Sequence, residues 1–318
     1  MGQSMYRYLD PELTELVRSL VPTDVGDPVA ARERLARTRA TRPEFVTPPG
    51  LVRDDLTVPA SGRRPAVRCL TFRPVVQIAA KPAIVYLHGG GFVMGDADGD
   101  PVLPAQLAGS TGALVLSVDY RLAPEHPYPA AVDDGWAVLR WVSDHAAPLG
   151  VDPARVAVAG ASAGACIAAA LALRARDGGG PRVAAQLLDI PVLDDRAITP
   201  SSRLEDGPLW NRANVLDSWR HYLRDLPEAQ EVPSYAAPAR AVDLSGLPPA
   251  YISVCARDPL RDEGIAYAQG LTDAGVPTEL RLYPGTFHGA VSTFPDTAVT
   301  RRARADFLAA AHRLLGAA

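Results

Sequence analysis

An α/β fold, with a mostly parallel central sheet and helices on both of its faces, is what this sequence predicts. Three observations carry that expectation. From about residue 50 onward, short apolar runs alternate with longer helical stretches. Ala83–His88 (AIVYLH) is a continuous apolar run, as a strand covered on both faces requires, and Leu114–Val118 continues the series of strands. The chain has 318 residues and is 47% hydrophobic, enough for one large core.

The elements follow in order. Leu13, Leu16, Val17 and Leu20 recur at helical spacing behind Asp10-Pro11, a capping start, and a second helix is expected over Pro28–Arg39. Strands are expected at Leu56–Val58, Val67–Phe72, Ala83–His88, Leu114–Val118, Val156–Ala159, Ala184–Ile190, Ala250–Val254 and Glu279–Tyr283. Helices are expected at Pro101–Ser110, Pro129–His145, Ser162–Arg176, Asp262–Ala274 and Thr297–Leu315. The polar stretch from Asp194 to Pro238 breaks the rhythm and holds one amphipathic helix near Asn214–Leu223. With the N-terminal helices it reads as a cap over the carboxyl edge of the sheet. The expected organisation is therefore residues 1–45 as the N-terminal part of a helical cap and 46–318 as the main α/β domain with a cap insertion at about 195–235.

Composition excludes several classes. The 32 basic and 36 acidic residues leave a net charge of −4, which gives no attraction to nucleic acid or anionic membranes. The basic clusters Arg37–Arg42 and Arg301–Arg304 read as helix surface. Cys69, Cys166 and Cys255 lie far apart in apolar surroundings, so buried thiols in a reducing compartment are expected, not disulfides or a zinc site. No apolar run reaches the roughly 18 to 20 residues that span a bilayer. The first residues lack the basic-then-apolar pattern of a signal peptide, and Tyr6 breaks the myristoylation pattern. A cytoplasmic location is expected.

The strongest local signal is Gly160-Ala161-Ser162-Ala163-Gly164, between a strand and an alanine-rich helix. Gly-x-Ser-x-Gly in that setting is a nucleophile elbow, a tight turn that lifts the serine hydroxyl above the sheet edge. Backbone crowding two residues before and after the serine calls for glycine at both places. The turn sets the amide of Ala163 at a helix N-terminus, where it can donate to a developing oxyanion. The second signal is His88-Gly89-Gly90-Gly91-Phe92, directly after a strand. Three glycines in a row free the backbone to aim amides at a carbonyl oxygen. The loop lacks the Lys-Ser/Thr of a phosphate-binding P-loop, and no dinucleotide fingerprint accompanies it.

Among the six histidines, His145, His221 and His312 fall in helices, His126 in a Pro-rich turn, and His88 in the glycine loop, where it reads as a brace. His288 follows the last strand in a loop at the carboxyl edge of the sheet, where α/β proteins assemble their sites. Asp258 ends the strand before it; Asp262 and Glu263 come where a helix begins and suit its N-terminal charge preference. Asp258 is therefore the favoured acid, accepting from His288 and leaving the other ring nitrogen for Ser162.

Taken together these segments resemble the bacterial hormone-sensitive-lipase-like (family IV) carboxylesterases of the α/β-hydrolase superfamily. The resemblance runs from about Val46 onward. It rests on His88–Phe92, Asp119–Ala131 (DYRLAPEHPYPAA), Gly160–Gly164, Asp243–Pro249, Asp258–Glu263 and His288-Gly289, present in that order. It implies the α/β-hydrolase fold, a Ser162–His288–Asp258 triad, oxyanion donors at Gly90, Gly91 and Ala163, and no metal or cofactor. It also implies a small-molecule ester as substrate, with short-to-medium acyl chains. Arg121 and Glu125 of the scaffold loop are expected to pair with each other.

Three positions depart from the family pattern: Ala161 stands where the elbow usually carries Asp, Ala165 where a glycine follows, and Ala290 where Phe follows His-Gly. These bear on efficiency and preference, with Ala290 expected to widen the site. An amidase or deacetylase with the same triad, or a non-catalytic ligand receptor of this fold, are the alternatives. Leu209, Trp210, Trp219 and Tyr222 suit either an apolar pocket or packing within the cap. The strand near Glu279–Tyr283, if it lies at an edge, offers pairing in a homodimer.

Overall fold

The computed structural model describes residues 8–62, 64–76, 80–227 and 229–316. Tyr6 and the rest of the first seven residues, where the leader and lipidation patterns were sought, lie outside them. The elements are α1 (Pro11–Val17), α2 (Pro28–Ala40), β1 (Leu51–Val58), β2 (Val67–Pro74), β3 (Lys81–Leu87), α3 (Val102–Thr111), β4 (Leu114–Val118), α4 (Ala130–Asp144), α5 (Ala146–Leu149), β5 (Val151–Ala161), α6 (Ala163–Asp177), β6 (Gln186–Asp189), α7 (Arg212–Tyr222), β7 (Ala250–Arg257), α8 (Arg261–Asp273), β8 (Thr278–Phe287), α9 (Ala290–Thr293) and α10 (Ala298–Leu315). Among the described residues, no helix is long and apolar enough to cross a membrane.

One eight-stranded sheet has the order β1-β2-β4-β3-β5-β6-β7-β8. β1 and β2 are antiparallel, and so are β2 and β4; every pairing from β4 through β3, β5, β6 and β7 to β8 is parallel. Alternate residues of one strand join different cores. Ala83, Val85 and Leu87 of β3 pack with α4, α6 and α8, whereas Ile84 and Tyr86 pack with α3 and α10. That split is the physical reason the central strands read as continuous apolar runs, since neither face meets water.

Helix α6 is rich in alanine and almost wholly buried, which lets it lie close to the sheet behind the elbow. The cap expected at Asp10 is present, and Asp27 caps the second helix in the same way. Asp10 and Asp27 each accept from backbone amides of the first turn, with proline at the first helical position. The three cysteines are buried and unpaired, and burial pushes the Cys69 thiol up to about 12.

The N-terminal segment and the 195–235 stretch are hydrogen-bonded to each other. Asn214 of α7 is buried; its Oδ1 accepts from the Val25 amide at 3.2 Å and its Nδ2 donates to the Thr23 carbonyl at 2.9 Å. Arg32 of α2 reaches the Val93 and Ala123 carbonyls at 2.7 and 2.8 Å, and Glu125 at 2.7 Å. This corrects the pairing expected in the scaffold loop. Arg121 instead holds the buried Asp134 of α4, with its guanidinium at 2.8 and 2.9 Å and its amide at 2.9 Å. Glu125 turns outward to Arg32, whose guanidinium lowers its carboxyl to about 2. Closeness along the chain suggested the pair; α4 and α2 supplied better-placed partners.

Candidate active site

Strand β5 runs directly into the elbow. Ser162 takes φ 55°, a left-handed backbone that a residue with a side chain adopts only at a cost, and then caps α6. The strain is held by hydrogen bonds: the Ser162 amide donates to the Asp189 carbonyl at 2.8 Å, and the Ser162 carbonyl accepts from the Ala165 amide at 3.0 Å. Glycine is required on both sides by space. A Cβ on Gly160 would lie 2.4 Å from the Gly164 carbonyl oxygen, and one on Gly164 would lie 2.0 Å from the Leu87 carbonyl oxygen.

Three distant segments converge here. Ser162 Oγ lies 2.9 Å from His288 Nε2, and His288 Nδ1 lies 2.7 Å from Asp258 Oδ2. His288 follows immediately on β8, which extends to Phe287, beyond the Glu279–Tyr283 stretch expected from sequence. Asp258 follows β7, and its other oxygen, Oδ1, accepts from the Leu260 amide at 2.8 Å. With Asp258 as acceptor, Nδ1 carries the ring proton and Nε2 is left to accept from the Ser162 hydroxyl. All three side chains are sequestered: Ser162, His288 and Asp258 are 5%, 7% and 1% exposed. Such burial strengthens each of these hydrogen bonds relative to water.

Beside the serine, the loop after β3 turns through Gly90 at φ 131° and Gly91 at φ 59°. A Cβ on Gly90 would fall 1.9 Å from the Met94 carbonyl oxygen, so the turn admits no side chain there. Gly89 packs on the elbow, its Cβ direction 3.4 Å from Ser162 Cβ. Among the described residues, no hydrogen bond uses the amide protons of Gly90, Gly91 or Ala163. His88 braces the loop as expected. It is buried, its Nδ1 lies 2.8 Å from the Gly89 carbonyl oxygen, and it stacks on Tyr120 with ring centroids 4.2 Å apart. Burial holds its pKa below the usual histidine range, so it is a neutral strut. His126, His145, His221 and His312 make none of the contacts around Ser162.

Of the two acids set aside earlier, Asp262 accepts from the Ser201 amide at 2.8 Å. Glu263 is buried and accepts from the Leu193 amide at 2.6 Å, with burial raising its carboxyl well above the ordinary range. Both lie in the first turn of α8 and tie it to the start of the inserted segment.

Sequence reasoning did not single out Asp189. In the sheet register it stands between Ala161 and Ser253, and its carboxylate accepts from the Ser253 hydroxyl. A carboxylate therefore occupies the next strand in the row where the elbow has only the Ala161 methyl. The row is set by strand register, which the isolated motif does not reveal. Ala165 is accommodated with its side chain fully buried in the core under α6. Ala290, expected to widen the site, is fully buried in a small core with Leu9, Leu13 and Phe287.

A hydroxyl hydrogen-bonded to an oriented imidazole, with a glycine loop packed on the elbow beside it, is equipment suited to acyl transfer. A family model described as alpha/beta hydrolase fold matches residues 84–292. The carboxylesterase NlhH of Mycobacterium tuberculosis is 43% identical over 290 residues, 89% of each chain. The esterase LipI of the same organism is 47% identical over 214 residues, 67% of each. An ethyl acetate hydrolase of Pseudomonas putida is 35% identical over 212 residues, 66% of each. A solved structure titled bacterial heroin esterase superposes with a TM-score of 0.92 at 40% identity, covering 99% of this chain and all of that one. The chain belongs to the α/β-hydrolase family, in the hormone-sensitive-lipase-like branch whose members here are carboxylesterases.

Proposed function

We propose that the protein hydrolyses carboxylic esters through an acyl-enzyme on Ser162, with His288 as base and Asp258 as its orienting acid. The observation that carries this reading is the unbroken relay of 2.9 and 2.7 Å from Ser162 through His288 to Asp258. His288 Nε2 takes the hydroxyl proton as Ser162 Oγ attacks the ester carbonyl carbon. The carbonyl electron pair moves to oxygen, where the amides of Gly90, Gly91 and Ala163 receive it. Collapse of this intermediate expels the alcohol oxygen, which takes the proton back from His288. Water then attacks the acyl-enzyme by the same proton route, releasing the acid and restoring Ser162. Asp258 holds the imidazole in place and stabilises the imidazolium. One oxyanion donor of this kind is worth about 3 to 4 kcal/mol. These steps call on no metal or cofactor.

Esters with short-to-medium acyl chains are the substrate range, supported by the family and, at the short end, by one relative named for ethyl acetate. The N-terminal helices and the 195–235 stretch act as the cap that covers the site, joined to each other through Asn214 and anchored to the loop after β3 through Arg32. We place the protein in the cytoplasm, and edge strand β8, with Leu280 and Leu282 exposed, is available for pairing in a homodimer.

Hydrolysis of p-nitrophenyl acetate and butyrate tests the reading directly. Ser162→Ala is expected to abolish turnover and labelling by a fluorophosphonate probe while the fold is retained. Full activity in that variant removes Ser162 from the mechanism. Faster turnover of an anilide than of its matched ester would favour the amidase alternative instead.

A further inference from the structure

The aromatic residues of the inserted segment divide into two groups. Trp219 and Tyr222 pack on Phe92, with ring centroids 5.4 and 4.0 Å away. Trp210 reaches further, to the reacting groups themselves. Its indole centroid lies 5.7 Å from the His288 ring, the planes inclined by 37°. On the oxyanion side, a Cβ on Gly91 would fall 2.5 Å from its Cη2 atom and 3.0 Å from its Cζ2 atom. The indole therefore lies against the backbone of Gly91 and spans the gap to the imidazole. Next to it, Leu209 Cδ1 would lie 3.6 Å from a Cβ on Gly289.

This ring is fixed in place. Trp210 is only 5% exposed. The chain carrying it is tied down by Asn214, whose Nδ2 also donates to the Leu209 carbonyl at 3.4 Å while holding the Thr23 carbonyl. Asn211 caps α7 by accepting from the Asn214 amide at 3.1 Å. Gly207 allows the preceding turn to close, because a Cβ there would lie 1.9 Å from the Trp210 carbonyl oxygen.

Three aromatic polar groups of this segment are buried without a partner among the described residues, Trp219 Nε1, Tyr222 Oη and Trp210 Nε1, and of these rings Trp210 is the one that lies against His288. The indole Nε1 is buried, and no acceptor among the described residues receives its proton. The ring edge turned toward Gly91 is the Cζ2–Cη2 edge, which adjoins Nε1. A buried donor left unpaired is unfavourable, and a ligand that supplies an acceptor relieves it.

An ester bound for attack places its carbonyl oxygen at the glycine loop and its alcohol oxygen toward His288 Nε2. A group flanking that carbonyl must then run along the ring that joins those two places. We propose that Trp210 determines selectivity: it limits the flanking group to a compact one, and its indole N–H favours a group carrying an oxygen acceptor over its purely hydrocarbon counterpart. The substrate class that fits is a short ester with an ether, keto or second ester oxygen near the scissile carbonyl. This inference rests on the esterase reading above.

The test compares wild type, Trp210→Phe and Trp210→Ala on two series: p-nitrophenyl esters from two to twelve carbons, and acetates of lengthening alcohols. It adds two isosteric pairs, methoxyacetate against butyrate and 2-methoxyethyl acetate against butyl acetate. Trp210→Ala is expected to raise kcat/KM for octanoate or octyl substrates relative to acetate or methyl ones by about tenfold or more, since single methylenes in a pocket discriminate on that scale. Trp210→Phe keeps the ring and removes the donor, so it is expected to keep the length profile. The preference for the oxygen-bearing member of a pair is expected to fall about tenfold. Melting curves establish that each variant is folded, and Trp210→Leu, which removes the ring but keeps an apolar side chain, replaces the Ala variant in the length series with the same expected outcome if that variant is not. An unchanged length profile in both series for folded Trp210→Ala overturns the proposal, and unchanged pair ratios in Trp210→Phe overturn the role of the indole N–H. A wild-type protein that hydrolyses no ester overturns the esterase reading itself, which these ratios leave separate.

Discussion

Gly164 and Leu87 meet backbone to backbone: a Cβ on the glycine would stand 2.0 Å from the leucine carbonyl oxygen. Leu87 ends β3 and leads into the glycine loop, while Gly164 opens α6 behind Ser162. The contact therefore sets the spacing between the Ser162 elbow and the glycine loop proposed to receive the oxyanion. Neither partner can retreat easily, because Leu87 is in register with Gly160 in the sheet and α6 is buried.

Gly164→Ala is expected to force the two segments apart. Overpacking of this kind costs about 1 to 3 kcal/mol, and here the obstacle is backbone, not a side chain that could turn away. Melting temperature should fall, and fluorophosphonate labelling of Ser162 should drop even in protein that stays folded. Labelling at the wild-type rate would show that the spacing is not critical.

Asp258→Asn and Asp262→Asn separate the two acids that the sequence places four residues apart. In Asp258→Asn the new side-chain amide can no longer hold His288 in the tautomer with Nε2 free, so kcat is expected to fall by about 10⁴-fold with KM little changed. Asp262 accepts from the Ser201 amide and pairs with Arg261, away from the imidazole. Its Asn variant is expected to remain within severalfold of wild-type kcat, with any loss appearing in thermal stability. Equal kcat losses in the two variants would remove Asp258 from its special role.

The mostly parallel sheet, the elbow, the Ser162, His288 and Asp258 set and the brace at His88 were legible because each depends on local signals: doubly buried strands, glycines at fixed spacing, and loops that leave the carboxyl edge. What escaped depends on register and on long-range partners. Asp189 comes beside the elbow only through the pairing of β5 with β6. Arg121 was assigned to Glu125 because the two are close in sequence, yet α4 offered Asp134 and α2 offered Arg32. The aromatics of the inserted segment could be grouped but not sorted, since an indole in a polar stretch looks the same whether it packs a helix or walls a site. The break before Asp194 showed the insertion, but not that Trp210 would rest on Gly91.

Glu263 gives a pH dependence of stability. Burial raises its carboxyl well above the ordinary value of 4.5, with Asp194 and Asp258 adding repulsion, while the Leu193 and Asp194 amides pull the other way. The folded protein thus binds this proton more tightly than the unfolded chain. Its contribution is fully present below about pH 4.5 and is lost as pH rises toward the folded value. Glu263→Gln keeps an oxygen for the Leu193 amide and cannot ionise. Its melting temperature relative to wild type is expected to rise between pH 5 and pH 8; a difference that stays flat across that range would mean that the carboxyl titrates normally.

Asn214 joins the N-terminal segment to the wall of the site, so its loss should register in both. Asn214→Ala leaves the buried Val25 amide and the Thr23 carbonyl without their side-chain partners and frees the Leu209 carbonyl. Unmet buried groups cost about 1 to 3 kcal/mol, which in a chain of this size lowers the melting temperature by several degrees. The same change unties the backbone that presents Trp210, so the chain-length profile should broaden toward longer esters while the His288–Asp258 pair and its pH profile stay as they are. Limited proteolysis should cut earlier in the segment before α2. A variant that melts lower but keeps the wild-type profile would show that Trp210 is held by the packing of its ring alone, and that the Asn214 bridge serves stability without reaching the site.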